Sequence, residues 1–348
     1  MRGDGANYSA AAGLPFDDVD LERRLVWIWG SGRSGSTWLL RQLSYPAQLS
    51  AKFPAGFRAP PSWPEPLDVV PVDEFLIARH LAPPTGEPID IGERLVPATL
   101  NNYVGEFPGY ALSSAFADVW QPEFRRLVLV RLHATIARAR EGGVALTDAP
   151  HVAIKEVNGS HASDLLMPMF SGSRLLFLVR DGRDVLDSRL HAHEAGGWLA
   201  ETEGPRFTGP DERLAWVRTA SLEWACDMDA TVRAYEAHPE RLRRMVRYED
   251  LLEGGSGVLA GLFAWLGVER DANAIDRIRE GTAFGRVPAE KRGSDKAFRA
   301  ATPGMWRQNL SADELSAAEE IMAPRLQALS YPLDVESVPA TESADERR

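Results

Sequence analysis

A glycine-rich loop with one cation is the first stretch of the sequence that is suited to binding an anion. GSGRSGST begins at Gly30, after the apolar run LVWIW and before WLLRQL. A loop between a strand and a helix points backbone N–H groups at one spot, where the helix dipole adds positive potential. Gly30, Gly35 and Thr37 fit the phosphate-loop pattern G-x-x-x-x-G-K-[ST]. Ser36, however, occupies the lysine position, and Arg33 is the only cation. Either the match is accidental, or the loop binds a phosphate other than the triphosphate of ATP.

A second strand–turn–helix segment offers another anion site. In LLFLVRDGRDVLDSRL (175–190), Arg180 stands at the end of a predicted strand, where open α/β sheets bind ligands, and Ser188 follows eight positions later. Alternatively, Arg180 and Arg183 are surface partners of the neighbouring aspartates, which would contribute little free energy. Two anion sites at two strand ends of one sheet favour a ligand with two separate phosphates.

Four segments, in order along the chain, resemble the signature segments of sulfotransferases that use 3′-phosphoadenosine 5′-phosphosulfate (PAPS). They are GSGRSGSTWL, FLVRDGRDVLDSRL, RYEDL (247–251) and RAATPGMWRQNLS (299–311). The resemblance implies that the first segment cradles the 5′-phosphosulfate, that the second and fourth hold the 3′-phosphate, and that two aromatic residues lie at the adenine. The donor-binding residues that it implies are Arg33, Ser34, Gly35, Ser36, Thr37, Trp38, Arg180, Ser188, Tyr248 and Arg299. Because the fourth segment has Arg-Ala-Ala where the family often has Arg-Lys-Gly, Arg292 is a weaker alternative contact.

The catalytic groups are expected in AIKEVNGSH (153–161), at the end of a second predicted strand. Sulfuryl transfer needs a base for the acceptor's proton and a cation for charge on the leaving oxygen. By resemblance, Lys155 contacts the bridging oxygen, and Arg33 is a further catalytic candidate. Many relatives have histidine two positions after the lysine, where this chain has valine. Glu156 is therefore the first candidate for the base and His161 the second, and a structural role for either stays open.

The elements that must position these residues alternate between strands and helices. Strands are predicted at 23–29, 151–157, 173–180 and 242–248, and helices at 36–43, 125–141, 184–193, 211–237, 256–266 and from the capping box SADE (311–314) to about 329. Such alternation indicates βαβ units and a parallel sheet. We expect an α/β, P-loop-like fold of three layers, with a central parallel sheet flanked by helices.

One domain with an insertion is the expected organisation. Residues 1–20 are predicted to be a flexible lead-in, 21–332 the single sulfotransferase domain, and 333–348 a polar tail. Eleven of the 24 prolines fall between 46 and 97. Proline lacks an amide donor and stops regular elements, so this part is expected to run over the surface rather than through the core. The insertion is placed at about 46–110.

Composition narrows the classes of function. The net charge of −11, from 39 basic and 50 acidic residues, argues against nucleic acid as a partner. The single cysteine, Cys226, leaves no internal disulfide and fits a reducing compartment. Neither a secretory signal nor a membrane span is recognisable, so a cytoplasmic location is predicted. In HAHE (191–194) the two histidines face different sides of a helix, so no metal is expected.

The sequence therefore predicts a PAPS-dependent sulfotransferase that acts on a hydroxyl or amine of a small-molecule, lipid or glycan acceptor. The proline-rich part and seven aromatic residues are considered as lining of an acceptor pocket, although scattered aromatic residues more often belong to the core: Trp63, Phe75, Tyr103, Phe107, Tyr110, Trp120 and Trp198. No single one of them, no particular acceptor and no number of subunits is indicated. One alternative is a P-loop kinase or nucleotide phosphotransferase with a degenerate loop. Ser36, at the position where such an enzyme has lysine, is evidence against this alternative. A second alternative is a nucleotide-binding protein without catalysis, and Lys155 beside a carboxylate speaks against that.

Overall fold

The structure is a computed structural model of the chain. It describes residues 17–49, 56–60, 63, 65–73, 90–91, 94–95, 116–287, 293 and 302–333. The strands are β1 (Leu25–Gly30), β2 (Gln48–Leu49), β3 (Phe57–Arg58), β4 (Leu67–Asp73), β5 (Asp90–Ile91), β6 (Arg94–Leu95), β7 (Leu146–Lys155), β8 (Arg174–Val179) and β9 (Arg243–Arg247).

The α-helices of the described residues lie before, between and after these strands. They are α1 (Asp18–Glu22), α2 (Ser36–Leu43), α3 (Ala117–Glu141), α4 (Ser163–Leu166), α5 (Gly182–His193), α6 (Ala200–Glu203), α7 (Pro210–Ala237), α8 (Tyr248–Glu253), α9 (Gly255–Leu266), α10 (Ala272–Thr282), α11 (Trp306–Asn309) and α12 (Ala312–Ala328). Short 3₁₀ turns lie at Val157–Ala162, Met167–Phe170, Glu240–Leu242 and Phe284–Arg286.

The central sheet has five parallel strands in the order β4-β7-β1-β8-β9. Two short antiparallel ribbons, β2 with β3 and β5 with β6, lie apart from it. Because all five strands run the same way, the loops that follow β1, β4, β7 and β8 leave from one edge of the sheet. This carboxyl edge is where open α/β sheets bind their ligands.

Alternation along β1 divides the core between the two faces of the sheet. Trp27 and Trp29 pack into one apolar cluster, to which α3, α7 and α12 contribute. Val26 and Ile28 pack into a second cluster, to which α2 and α9 contribute. Every residue of β1 is buried, as expected for a strand covered on both sides. This arrangement confirms the predicted three-layer α/β fold with its parallel sheet.

The expectation that the proline-rich part avoids the core is wrong for residues 67–73. They form β4, the edge strand that pairs with β7, and Leu67, Val69 and Val70 are buried. Pro71 lies within this strand. An edge strand tolerates proline because only one of its sides needs a full set of amide donors.

The observed ends of several other helices and strands differ from the predicted ends by a few residues. Helix α3 begins at Ala117 and β7 at Leu146, several residues before their predicted starts. Helix α1 begins at Asp18, so the end of the predicted lead-in is helical. The capping box at the start of α12 is confirmed: the backbone N–H of Glu314 donates to Oγ of Ser311, and the backbone N–H of Ser311 donates to Oε2 of Glu314. The predicted tail from 334 onward lies outside the described residues.

Candidate active site

The loop between β1 and α2 has the conformation of an anion cradle. Gly35 takes a left-handed backbone angle, with φ of 88°, and is the N-cap residue of α2. Because glycine has no side chain, no side-chain cap bonds to the N–H groups of the first turn. Arg33 also has a positive φ, of 73°, which is unusual for a residue with a side chain. The buried hydroxyls of Ser31 and Ser34 have no hydrogen-bond partner among the described residues. Buried polar groups seldom stay unsatisfied, so these hydroxyls and the helix terminus suit an anionic ligand.

Two glycines let the loop pack directly on its neighbours. A Cβ atom on Gly30 would lie 2.2 Å from the carbonyl oxygen of Leu178 in β8. A Cβ atom on Gly35 would lie 2.5 Å from the ring of Tyr248. Both distances are far below van der Waals contact, so glycine is required at each position. The loop is therefore held against the end of β8 and against the start of α8.

Two hydrogen bonds join the loop to the segment after β8. The Nη1 atom of Arg180 donates to the carbonyl oxygen of Arg33 over 2.9 Å. In the opposite direction, Nε of Arg33 donates to Oγ of Ser188 over 3.0 Å. Nε of Arg180 is buried and has no hydrogen-bond partner among the described residues. The two predicted anion-binding segments thus meet in one place at the carboxyl edge of the sheet.

Aromatic rings border this place on the side of α8. The guanidinium of Arg180 lies 4.7 Å from the ring centre of Tyr248. Trp38 meets the same ring edge-on at 5.9 Å, and its Nε1 donates to the carbonyl oxygen of Thr282 over 3.0 Å. Trp38 is half-buried, so part of its indole surface is open. Tyr248, one of the two aromatic residues predicted at the adenine, therefore lies beside the predicted 3′-phosphate arginine, and Trp38, the other, contacts Tyr248.

Lys155 ends β7 between two neighbours. Its Nζ donates to Oγ1 of Thr37 over 3.2 Å and lies 2.6 Å from Oδ1 of Asp73. Thr37 is in the first turn of α2, so the ammonium group stands beside the loop. Asp73 is the direct register partner of Lys155 in the adjacent strand, which sequence reasoning did not reveal. The structure therefore places the predicted catalytic lysine at the cradle.

The two predicted bases have different surroundings. Glu156 is fully buried, with an exposure of 0%. His161 is partly exposed, on the 3₁₀ turn after β7, with Nδ1 3.8 Å from Oδ1 of Asp227. Burial lowers the pKa of His161, against the raising effect of nearby carboxylates. Burial also raises the pKa of Asp227 well above its usual range, an effect that Arg189 opposes. The imidazole is thereby favoured in its neutral form, the form that a base requires.

A family model described as "Sulfotransferase family" matches residues 26–272 of the chain. This range contains the loop, Lys155, Arg180 and Tyr248. The chain belongs to the sulfotransferase family. No curated protein matches the sequence significantly.

Several solved structures are similar to this sulfotransferase, although their sequence identity to it is low. Mouse sulfotransferase SULT7A1 complexed with PAP is 10% identical, with a TM-score of 0.47, over 93% of this chain and 89% of that one. Sulfotransferase STF9 from Mycobacterium avium is 14% identical, with a TM-score of 0.46, over 95% and 83%. Retinol dehydratase in complex with retinol and PAP is 15% identical, with a TM-score of 0.46, over 94% and 88%.

The C-terminal segment of the sulfotransferase docks on α5, the helix that carries Ser188. The backbone N–H of Gly304 donates to Oδ2 of Asp184 over 2.8 Å, and Nδ2 of Asn309 donates to Oδ1 of Asp187 over 2.9 Å. Arg299 and Arg292, the two predicted contacts from this part of the chain, lie outside the described residues. The described part of the C-terminal segment nevertheless contacts α5, the helix that carries Ser188 of the predicted 3′-phosphate site.

Arg183 is not a surface residue, contrary to the alternative interpretation of its segment. It is fully buried. Its Nε and Nη2 atoms donate to the two carboxylate oxygens of Asp181 over 3.0 and 2.8 Å, and Nη1 donates to Glu319 of α12 over 2.6 Å. The ion pairs hold α12 on α5 in a well-bonded, buried network. Arg183 therefore stabilises the segment that follows β8, while its neighbour Arg180 bonds to the loop.

Several aromatic residues that were considered for an acceptor site have other positions. Trp120 belongs to the main apolar cluster, and Trp63 packs edge-on against Tyr45 with ring centres 5.5 Å apart. Trp198 is closer to the site, since the guanidinium of Arg33 lies 5.7 Å from its ring centre. The remaining aromatic candidates, at 75, 103, 107 and 110, lie outside the described residues. Trp198 is thus the described aromatic candidate that borders the loop.

Two further properties concern the described part of the chain alone. It contains no group of three or more histidine, cysteine, aspartate or glutamate side chains arranged to hold a metal ion. His191 contacts Glu194 and His193 packs on Trp216, so the two histidines of HAHE have separate partners. None of the described helices combines the length and apolar character needed to cross a membrane.

Proposed function

We propose that the chain transfers a sulfuryl group from PAPS to a hydroxyl or amine of a small-molecule, lipid or glycan acceptor. The observation that carries this proposal is the direct connection of two anion-binding segments, from Arg180 to the backbone of Arg33 and from Arg33 to Ser188. A donor with phosphates at both ends of one nucleoside needs two such sites within a single cleft. A cytoplasmic location remains the prediction from composition.

The side chains at this edge of the sheet fit such a donor. The unsatisfied Oγ of Ser34 and the buried Nε of Arg180 are donors without acceptors among the described residues. The first turn of α2 has no side-chain cap. Phosphate and sulfuryl oxygens are acceptors. By this proposal the 5′-phosphosulfate lies on Arg33, Ser34, Gly35, Ser36 and Thr37, the 3′-phosphate on Arg180 and Ser188 with Arg299 added, and the adenine beside Trp38 and Tyr248.

The chemistry that the donor supplies is an activated sulfuryl group whose leaving group is a phosphate oxygen. Lys155 is positioned to stabilise negative charge on that oxygen, with Arg33 as a second cation. Glu156 and His161 remain the two candidates for the proton acceptor. The partial exposure of His161 and its lowered pKa support the histidine, because a base must reach the acceptor and be unprotonated.

The structure also bears on the kinase alternative. A kinase of the P-loop class needs an acidic residue at a strand end to hold Mg²⁺. Asp181 occupies that place after β8, but Arg183 takes up both of its carboxylate oxygens. Arg180, which precedes it, adds a cation that donates to the carbonyl oxygen of Arg33 in the loop. The site therefore supports an anionic donor without a metal bridge better than it supports ATP with Mg²⁺.

Thermal denaturation with three ligands tests the proposal. Adenosine 3′,5′-bisphosphate (PAP) at about 100 times its Kd should stabilise the protein by roughly 2.7 kcal/mol. AMP, which lacks the 3′-phosphate, should stabilise it much less at the same concentration. Stabilisation by ATP with Mg²⁺ and none by PAP would reject the proposal in favour of the kinase.

A further inference from the structure

Three arginines gather where the strands of the central sheet begin, at the edge opposite the candidate site. Arg24 directly precedes β1, Arg174 is the first residue of β8, and Arg241 lies in the 3₁₀ turn before β9. These three strands are neighbours in the sheet, and adjacent strands lie only about 4.8 Å apart. Arg24 and Arg174 are half-buried, and Arg241 is exposed. We call these three side chains the amino-edge cluster.

The members of the amino-edge cluster share one side of the sheet. Side chains alternate along a strand, so Arg24 and Arg174 fall on the face that α2 and α9 cover. On that face the guanidinium of Arg174 lies 5.9 Å from the ring centre of Trp265 in α9. Nε1 of Trp265 in turn donates to the carbonyl oxygen of Arg241 over 3.2 Å. The indole of Trp265 therefore joins two of the three arginines.

Local bonds use only a small part of the hydrogen-bonding capacity of the cluster. Nη1 of Arg24 donates to the carbonyl oxygen of Ala149 over 2.7 Å, and Nη1 of Arg174 donates to that of Arg23 over 2.6 Å. A guanidinium group carries five N–H donors. Within the part of the chain that the structure describes, none of the three arginines forms an ion pair with a carboxylate. Donors and charge are therefore both left for a ligand.

The positive charges of the cluster act on one another. Burial lowers the pKa of Arg174, and the charges of Arg24 and Arg241 lower it further. Burial, together with the charges of Arg174 and Arg24, also lowers the pKa of His151, in the neighbouring strand β7, to about 4. Like charges that face each other oppose ionisation. An anion bound between them would therefore stabilise this edge of the sheet.

The end of α9 supplies too little negative charge to balance the cluster. A helix C-terminus carries roughly half a negative elementary charge, against three guanidinium charges here. Its carbonyl oxygens at Phe263 and Ala264 already accept bonds from the backbone N–H groups of Val268 and Gly267 over 2.9 and 3.0 Å. A phosphate group, by contrast, carries about 1.5 to 2 negative charges at pH 7.

We propose that the amino-edge cluster is a second anion site, which binds a phosphate group through Arg24, Arg174 and Arg241. Planar guanidinium forks bind phosphate oxygens through paired hydrogen bonds, which a spherical chloride ion cannot form. The site lies at the opposite edge of the sheet from the proposed donor site and does not depend on the proposed function. Inorganic phosphate, pyrophosphate and a nucleotide all offer this chemistry, and the test separates them.

Two tryptophan N–H groups report on the two anion sites separately. Trp265 lies within the cluster, and Trp38 lies beside the glycine-rich loop. The full chain is labelled with ¹⁵N-tryptophan, and Trp265→Phe and Trp38→Phe assign the two indole signals in NMR spectra. Inorganic phosphate is then added at constant ionic strength, set with sodium chloride, because salt screens exposed charges. We expect a saturable shift of the Trp265 signal.

Variants of the cluster should weaken this binding and leave the loop unaffected. Arg174→Gln and Arg241→Gln should each raise the phosphate Kd at the Trp265 signal about tenfold, because each removes a charge-assisted contact. The response of the Trp38 signal to phosphate should stay as in wild type.

Arg243→Gln is the matched control. Arg243 is the first residue of β9, at the same edge of the sheet, and its Nη1 donates to backbone carbonyl oxygens at the end of α7. The phosphate Kd of this variant should stay within threefold of wild type. If Arg174→Gln does not fold, Arg241→Gln decides, because the Arg241 side chain makes no hydrogen bond within the described part of the chain.

Pyrophosphate and AMP, titrated in the same way, identify the source of the phosphate group. Tighter binding of pyrophosphate supports the site as one for an inorganic anion, and tighter binding of AMP supports it as one for a nucleotide. The inference is overturned if phosphate, pyrophosphate and AMP all leave the Trp265 signal in place. It is also overturned if Arg243→Gln weakens binding as much as the cluster variants do, or if those variants bind phosphate as wild type does.

Discussion

Replacing Arg180 with alanine is the sharpest test of how this sulfotransferase holds its donor. The substitution removes the bond to the carbonyl oxygen of Arg33, the cation over the ring of Tyr248 and the buried Nε donor. It also removes the positive charge beside Asp184, whose pKa burial raises and Arg180 lowers. The proposed 3′-phosphate would then lose one cation, while the carboxylate of Asp184 would remain near the site.

The expected loss follows from the surroundings of the arginine. Truncating one partner of a buried, hydrogen-bonded charge pair costs about 2–5 kcal/mol. Because Arg180 is half-buried, solvent screens part of the interaction and the lower end of that range applies. A loss of about 2 kcal/mol corresponds to a roughly 30-fold weaker Kd for PAP. Isothermal titration calorimetry measures this directly.

A control variant and a control ligand show whether the loss of PAP affinity is specific to Arg180 and to the 3′-phosphate. Arg218→Ala removes an arginine that pairs with Glu320 on the surface and should leave the Kd for PAP within threefold. AMP should lose little affinity in Arg180→Ala, because it lacks the 3′-phosphate. An equal loss for AMP and PAP would mean that Arg180 acts by holding the loop. A loss for PAP of less than threefold would remove the residue from the donor site.

Two other predictions concern protons. At least one of Glu156→Gln and His161→Ala should lower PAP release from PAPS about a hundredfold or more, and neither residue is the base if both variants stay within tenfold of wild type. Burial, with help from nearby arginines, lowers the pKa of His151 to about 4 from 6.5. The unfolded chain therefore takes up this proton below about pH 6.5 and the folded protein only near pH 4, so stability falls by up to about 3 kcal/mol as pH decreases through that window. His151→Gln should flatten this part of the urea-unfolding profile, whereas the control His191→Gln should not; equal slopes in all three proteins would contradict the assignment.

Local signals in the sequence were sufficient for much of the fold. The helix predicted at 36–43 is α2, residue for residue, because a glycine cap and an apolar face define it within one stretch. The capping box at Ser311 marks the start of α12 for the same reason. Strand β4 was not predicted, because Pro71 and the surrounding prolines indicate a surface loop. What makes this segment a strand is its pairing with β7, which lies far away in sequence.

The sequence predicted which segments form the candidate site, but it did not predict which side chains of those segments contact each other. Strand–loop–helix patterns identified the loop and the end of β8, and family resemblance assigned roles to them. The opposition of Asp73 and Lys155 depends on the register of two parallel strands, and no short motif encodes that register. The contact of Arg33 with Trp198 likewise joins two distant loops. Such contacts are set by packing, so the sequence could supply the residues without their partners.

The different positions of Arg180 and Arg183 show how packing assigns function to similar residues. Both follow β8 within one turn, and the sequence offered the same aspartates as partners to each. The buried Glu319 of α12 and the carboxylate of Asp181 occupy Arg183, which fixes the start of α5. Because Arg183 already neutralises Asp181, Arg180 is left to face the loop, where its Nη1 bonds to Arg33. A chain with net charge −11 thereby keeps a cation at the one edge where an anionic donor would bind.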